Sequence, residues 1–396
     1  MTTPYEIASQ AVLEAKAALT GVNRFVHSHP ELNFHEVESA RCVADALETA
    51  GFLVERGTYD LPTSFRATFG SGSLIVGICA EYDALPEVGH ACGHNIIASA
   101  AVGAAIGLKA VAQALDLTVV VLGTPAEEGG GGKVMMLERG AFSDLHLAMM
   151  IHPWASERLE ATCLAVSHFD VTFTGKAAHA SGAPWKGRNA ADAMVISQVA
   201  IGLLRQQLSP GEQIHGVVTS GGEAANVIPE LVTGRFMCRT HRVEDLDDLL
   251  RRVRQCFQSG ALATDTEFSM AFRMPNYSHM ESDQRLLGSY RRHGEQLGRS
   301  FAEDDAGVPK PTLSTDMANI SLIVPTIHPL VKVEAGGASN HQYEFAAACI
   351  SESADKAMID GALLMALTAI DVAVDPSWRE DLELARQRRA STKEQS

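Results

Sequence analysis

Three stretches of this chain are apolar on both faces: residues 73–80 (SLIVGICA), Leu117–Gly123 (LTVVVLG) and 145–151 (LHLAMMI). A strand with one wet face alternates apolar and polar residues, so continuous runs belong to strands covered on both sides. Helix-patterned segments lie between them, at 94–115 and 133–139. This alternation defines an α/β fold with a mostly parallel sheet and helices on both faces. Apolar positions three and four apart predict further helices at 5–20, 36–50, 283–296 and 341–372. Shorter strands are expected at 64–69 and 322–326.

Between 166 and 274 the pattern changes. It reads as strand (168–174), helix (189–208), strands (213–219 and 231–239), helix (243–259) and strand (267–273). The order βαββαβ is that of ferredoxin-like domains. The first pattern resumes afterwards, so this is an insertion. Residues 1–165 and 275–396 are expected to form one domain and 166–274 another. The charged end of the chain (SWREDLELARQRRASTKEQS) is expected to finish as a mobile tail.

Open α/β sheets bind ligands beyond the carboxyl ends of their strands. Here SLIVGICA runs into Glu81, Tyr82 and Asp83, and LTVVVLG is followed shortly by Glu127 and Glu128. LHLAMMI is followed directly by His152. Three strand ends thus deliver side chains able to hold a metal to one edge.

Cys92 and His94 flank Gly93, whose freedom lets both side chains aim at one centre; zinc accepts both donor types. The bland alternative is a small buried thiol beside a capping histidine. Glu127 and Glu128 point different ways, so one can bind metal while the other faces substrate. The glycines at 129–132 permit close approach, whereas a merely acidic surface loop would have polar flanks. His152 alone reads as structural; beside the other strand ends it reads as a ligand. His341 sits in a glycine-rich loop (GGASNHQYEF) before a helix, a placement that suits a ligand or a structural residue equally. His179, Asn226 and Arg239 lie in the insertion, with loop, turn and surface roles as their bland alternatives. An inward Arg239 would grip a carboxylate bidentately.

The 396 residues suffice for two or three domains and a large core. A formal net charge of −16 argues against nucleic acid as a partner. Seven widely spaced cysteines argue against a disulfide framework and for a reducing, cytoplasmic compartment. The opening MTTPYEIASQAVLEAKAAL lacks the pattern of a signal peptide. No apolar run of membrane-spanning length is read from the sequence, and the Ala/Gly-rich segment 96–115 reads as a buried helix.

Together, seven motifs resemble the dinuclear-metal aminoacylase and carboxypeptidase family (peptidase family M20). They are HPEL at 29–32, AEYDALP at 80–86, HACGHN at 90–95, PAEEGGGG at 125–132, GKAAHAS at 175–181, NVIP at 226–229 and HQYEF at 341–345. The branch they are most similar to includes p-aminobenzoyl-glutamate hydrolase, indole-acetyl-amino-acid hydrolases and β-alanyl-lysine-type dipeptidases. The resemblance implies a metallohydrolase domain with an inserted lid and dimerisation domain. It implies two divalent ions held by Cys92, His94, Glu128, His152 and His341, with Glu127 as general base. His179 is implied to polarise the scissile carbonyl, in its own site or a neighbouring subunit's, within a homodimer or larger assembly. Asn226 and Arg239 are implied to contact the substrate and its carboxylate, and Asp83 to orient a ligand. Many relatives carry His-x-Asp where this chain has Glu81-Tyr82-Asp83, and a bridging Asp where it has Cys92. The thiolate favours zinc over magnesium or calcium, with manganese, cobalt or nickel still compatible.

The expected function is hydrolysis of the amide bond of an N-acyl amino acid or a dipeptide with a free carboxylate. Glu127 would take a proton from water and return it to the leaving amine. Two other classes are weighed. A non-catalytic metal- or peptide-binding protein would not need both glutamates. A dinucleotide-dependent oxidoreductase would need a Gly-x-Gly-x-x-Gly after its first strand, which this sequence lacks.

Overall fold

The computed structural model describes residues 2–301 and 310–393. The chain divides into two compact units, Met1–Thr162 with Met280–Ser396, and Cys163–His279.

The first unit opens with helices α1 (Pro4–Glu14), α2 (Lys16–Ser28) and α3 (Val37–Thr49). Strands β1 (Leu53–Arg56), β2 (Phe65–Phe69) and β3 (Leu74–Ala80) follow, then α4 (His94–Lys109), β4 (Leu117–Gly123), α5 (Gly132–Glu138), β5 (Leu147–Met149) and β6 (His152–Trp154). After the short β7 (Thr162–Cys163), the second unit contains β8 (Ala165–Thr174), α6 (Ala190–Leu204), β9 (Gln213–Ser220), β10 (Leu231–Thr240), α7 (Leu246–Thr264) and β11 (Glu267–Phe272). The first unit resumes with α8 (Gln284–Gln296), β12 (Thr312–Leu313), α9 (Met317–Ser321), β13 (Thr326–Ile327), β14 (Leu330–Lys332), α10 (Tyr343–Ala348), α11 (Glu352–Val374) and α12 (Pro376–Lys393).

The main sheet has the order β1-β2-β4-β3-β5-β13. Its β4, β3, β5 and β13 are parallel neighbours, and β1 and β2 add an antiparallel edge. Its apolar runs are buried as expected: Val76, Ile78 and Ala80 of β3 and Val119 to Leu122 of β4 are essentially inaccessible. Helices α4 and α11 pack closely through small residues. A Cβ on Gly103 would lie 2.8 Å from that of Ala362, so the close approach depends on glycine there.

The second unit has sheet order β11-β8-β10-β9, antiparallel throughout. This is the ferredoxin-like arrangement expected from the sequence. Phe169, Phe173, Phe236 and Phe257 fill the layer between its sheet and its two helices.

Four local expectations are corrected. The predicted helix over 5–20 is two helices meeting at Ala15, and the second runs on to Ser28. The strand expected at 322–326 is displaced, because 317–321 is helical and only Thr326 and Ile327 pair. The helix expected over 341–372 is broken between α10 and α11, where Ser351 caps α11 by accepting from Ala354 N. The charged end is α12, not a tail through its length. Trp378 and Leu382 are buried, the Arg285 guanidinium sits 4.3 Å over the Trp378 ring, and Arg379 pairs with Asp116 at 2.9 Å. Residues 394–396 lie outside the described residues. Helix α11 is also long and apolar enough to cross a membrane, contrary to the sequence reading, but most of it is buried within the unit.

Candidate metal centre

The carboxyl ends of β3, β4 and β5 share one edge of the sheet, and the loops leaving them converge. After β3 the chain extends through Glu81 to Asp83, all fully buried. Gly93 then takes a left-handed conformation (φ 78°) as N-cap of α4. A Cβ there would lie 2.9 Å from Pro153 and 3.3 Å from Cys349 Sγ. The glycine between Cys92 and His94 is therefore required both by its dihedrals and by the space around it.

After β4 the loop turns sharply at Ala126, a non-glycine residue at φ 59°. Such a conformation persists where its surroundings over-determine it. Glu36 does this: its Oε1 accepts from Phe34 N at 2.8 Å and from Ala126 N at 2.9 Å, and its Oε2 accepts from Thr63 Oγ1 at 2.8 Å. Burial, then the Asp83 charge, push the Glu36 carboxyl up to about 7. The turn delivers Glu127 and Glu128 to the edge already occupied by His94.

The sequence-predicted donors come together. Donor atoms of Cys92, His94 and His152 lie within 4.8 Å of one another, as do those of Cys92, Glu128 and His341. Cys92 Sγ is 3.4 Å from His341 Nε2, which is 3.8 Å from Glu128 Oε2. His94 Nε2 lies 3.9 Å from Glu128 Oε1 and 4.0 Å from Glu127 Oε2. Cys92 belongs to both trios, and Glu127 stands beside them.

The histidines are pre-oriented. His94 Nδ1 lies 2.9 Å from Asp83 Oδ1, and a carboxylate only accepts, so Nδ1 carries a proton and Nε2 is the nitrogen that faces inward. His152 Nδ1 donates to Pro153 O at 2.8 Å with the same consequence. Carboxylate or carbonyl partners of this kind fix metal-binding histidines. His341, at φ 70°, is more exposed and borders an open cleft of about 530 Å³ lined also by Val88, Gly337, Ala338, Tyr343 and Glu344.

The electrostatics call for cations. His94 Nε2 and Glu128 Oε1 are buried with no hydrogen-bond partner, a costly state unless something binds them. Burial, followed by the charges of Glu128 and Glu127, pushes the Cys92 thiol well up. Burial, with Glu81 and Glu128, holds the Glu127 carboxyl well above its ordinary value. Burial opposes the charged form of His94, yet Asp83 and Glu81 outweigh it and raise its pKa strongly. Burial lowers His152 to about 4. One thiol, three imidazoles and a carboxylate, gathered with this excess of negative charge, fit divalent cations.

The remaining predicted residues lie in the second unit. His179 and Asn226 are adjacent there: Ala180 N donates to Asn226 O at 2.9 Å, and His179 bridges to Val227. His179 is exposed, and its Nδ1 accepts from Gly182 N at 3.0 Å, which places the proton of the neutral ring on Nε2. Arg239 is not near them along the sheet. It pairs with Val166 at one end of β8, whereas the His179 loop leaves the other end at Thr174. Eight residues at about 3.3 Å each put roughly 26 Å of strand between the two ends.

Sequence reasoning missed Glu36, Lys133, Asp316 and His328. Lys133 Nζ lies 2.5 Å from Glu81 Oε1 and 2.7 Å from Asp316 Oδ1, and the His328 ring centroid is 5.4 Å from that of His152. An inward lysine has no periodic signature, and the partners of these residues are distant in sequence.

A mostly parallel sheet whose strand ends gather thiol, imidazole and carboxylate donors around a glutamate defines a metal-dependent hydrolase of amide bonds. Comparisons agree. Residues 166–265 match the peptidase dimerisation domain model of the M20 peptidases. The chain is 36% identical over 390 residues to a mouse Xaa-Arg dipeptidase, covering 94% of this chain and 90% of that one. It is 32% identical over 289 residues to one of the chains of p-aminobenzoyl-glutamate hydrolase from Escherichia coli K12, covering 68% of this chain and 60% of that one. A dinuclear metal-binding M20 peptidase from Bacillus subtilis superposes with a TM-score of 0.66 at 20% identity, covering 90% of this chain and 98% of that one. The chain belongs to the M20 peptidase family.

Proposed function

We propose that this chain hydrolyses the amide bond of a dipeptide or N-acyl amino acid that keeps a free carboxylate. The observation carrying this is the gathering of Cys92, His94, Glu128, His152 and His341 around Glu127. In this reading Cys92, His94, Glu128, His152 and His341 would hold two divalent ions, with zinc as the native metal. When bound, the ions would supply a lowered pKa for water and polarisation of the carbonyl.

Glu127 accepts a proton from the attacking water at its carboxylate and passes it to the departing amine nitrogen. Asp83 holds His94 in the tautomer that serves the centre. His179 offers Nε2–H to the developing oxyanion, the kind of donor that supplies a large electrostatic term. Arg239 receives the substrate carboxylate. Because roughly 26 Å of strand separates its end of β8 from that of His179 and Asn226, one small substrate cannot span both within one copy. We infer that these residues serve sites of different subunits in a homodimer. The exposed stripe Val195, Val199 and Leu203 on α6, with Val217 on the edge strand β9, supports that assembly. Seven widely spaced cysteines support a reducing, cytoplasmic setting.

The test is a panel of Xaa-Arg and other dipeptides, N-acyl amino acids and p-aminobenzoyl-glutamate, assayed with and without a chelator while metal is counted per chain. Turnover of at least one class that disappears on chelation is expected. Turnover untouched by complete metal removal would refute the reading.

A further inference from the structure

Glu81 follows β3 within reach of the donor cluster, and its two oxygens face different partners. Its Oε2 lies 3.4 Å from His94 Nε2, the nitrogen that Asp83 leaves facing inward. Its Oε1 is held 2.5 Å from Lys133 Nζ. The same ammonium is 2.7 Å from Asp316 Oδ1, and Asp316 Oδ2 accepts from the Lys133 backbone N at 2.9 Å. Lys133, Glu81 and Asp316 are all fully buried. One ammonium therefore ties together the end of β3, the first turn of α5 and the segment entering α9.

Two physical features make this lysine unusual. Burying an ammonium is costly until pairing offsets it. Lys133 also lies in the first turn of α5, where the helix dipole disfavours positive charge. A stability role alone is poorly served by such a placement, since apolar packing would fill the same space at least as well. The placement does accomplish one thing. It engages an oxygen of Glu81, the carboxylate that stands beside His94 Nε2 in addition to Glu127 and Glu128 and has no part in the proposed reaction.

We propose that Lys133 is a positioning residue that withholds Glu81 from the metal pair. This rests on the donor set proposed above. With Glu81 engaged, the ligands remain rich in sulfur and nitrogen, which suits zinc. Released, Glu81 adds a hard carboxylate oxygen and extra negative charge, which suits manganese or magnesium. Lys133 is thus a determinant of metal selectivity that touches neither substrate nor metal.

The test compares metal uptake by full-length wild type and Lys133→Met. Each is stripped, then offered equal zinc and manganese, and the metals are counted by mass spectrometry; absorption spectra of the cobalt(II) forms report coordination. The Zn/Mn ratio should fall by about tenfold or more in Lys133→Met, the scale on which groups supporting metal ligands act, and the cobalt bands should change. Lys133→Met/Glu81→Gln should return to the wild-type ratio. If Lys133→Met does not fold, Lys133→Met/Asp316→Asn, which removes one charge of each sign, is read against Asp316→Asn. A wild type that binds metal beside a variant with unchanged ratio and spectrum overturns the proposal alone. So does a shift that persists without Glu81. A wild type that binds no metal overturns the donor set itself, and this inference with it.

Discussion

His94 Nδ1 lies 2.9 Å from both Asp83 Oδ1 and Asp83 O, and the proton it shares between them leaves Nε2 as the ring nitrogen that faces Cys92, Glu127 and Glu128. Asp83 is itself fixed, since its Oδ2 accepts from Glu128 N at 2.9 Å. The carboxylate therefore orients one proposed ligand through its side chain and another through its backbone. Asp83→Asn should weaken metal binding about 10–100-fold, the range for such supporting groups. Chelator competition measures it; unchanged affinity would show that the Asp83 carboxylate is not needed beside the backbone acceptor of His94.

Glu127 carries the proton in the proposed reaction and is not needed to hold the metals. Glu127→Gln should lower kcat by about 10²–10⁴-fold while metal content per chain stays at the wild-type level. Steady-state kinetics on metal-counted protein separate the two roles. Near-normal turnover would remove Glu127 as the base.

Gly132 closes the loop that presents Glu127 and Glu128. A Cβ there would lie 1.9 Å from Pro125 O, a backbone atom that cannot swing aside. Gly132→Ala should cost at least about 1–3 kcal/mol, as overpacking does, and should loosen metal binding because the loop must shift. Denaturant unfolding paired with metal titration checks both.

Glu36 gives a signed pH dependence. Its carboxyl is raised to about 7 in the folded state, by burial and then Asp83, from 4.5. Between these values the folded chain binds more protons at this site than the unfolded one. The group's contribution to stability is therefore full below about pH 4.5 and is lost as pH rises to about 7. Glu36→Gln keeps an acceptor for Phe34 N and Ala126 N but cannot ionise. It should gain on the order of 3 kcal/mol over wild type at pH 8, from about 1.4 kcal/mol per pKa unit, and the gain should vanish near pH 4. Thermal unfolding across pH measures this; a pH-independent difference would show that Glu36 does not titrate as described.

Much of this was legible in the sequence because its signals are local. Runs apolar on both faces mark the central strands, and the residues just past each run, Asp83, Glu127, Glu128 and His152, are the ones the sheet gathers at its edge. Glu36, Lys133 and Asp316 were not legible, because their meaning lies in pairings across 90 and 183 residues that no periodicity encodes. The break before α11 rests on one serine cap inside a helix-like pattern. The charged α12 looked like a tail because its anchors, Trp378, Leu382 and Arg379, meet partners from other segments. Pattern reports which face of a segment is apolar; it does not report what arrives to cover it.

The central claim is that one centre, built from Cys92, His94, Glu128, His152 and His341, binds the catalytic cations. Anomalous diffraction from crystals of zinc-loaded protein tests it most directly. The account predicts two peaks per chain, each contacting donors of this set, with Glu127 beside them and coordinated to neither. Peaks elsewhere on the chain, or none at these five side chains, would contradict it.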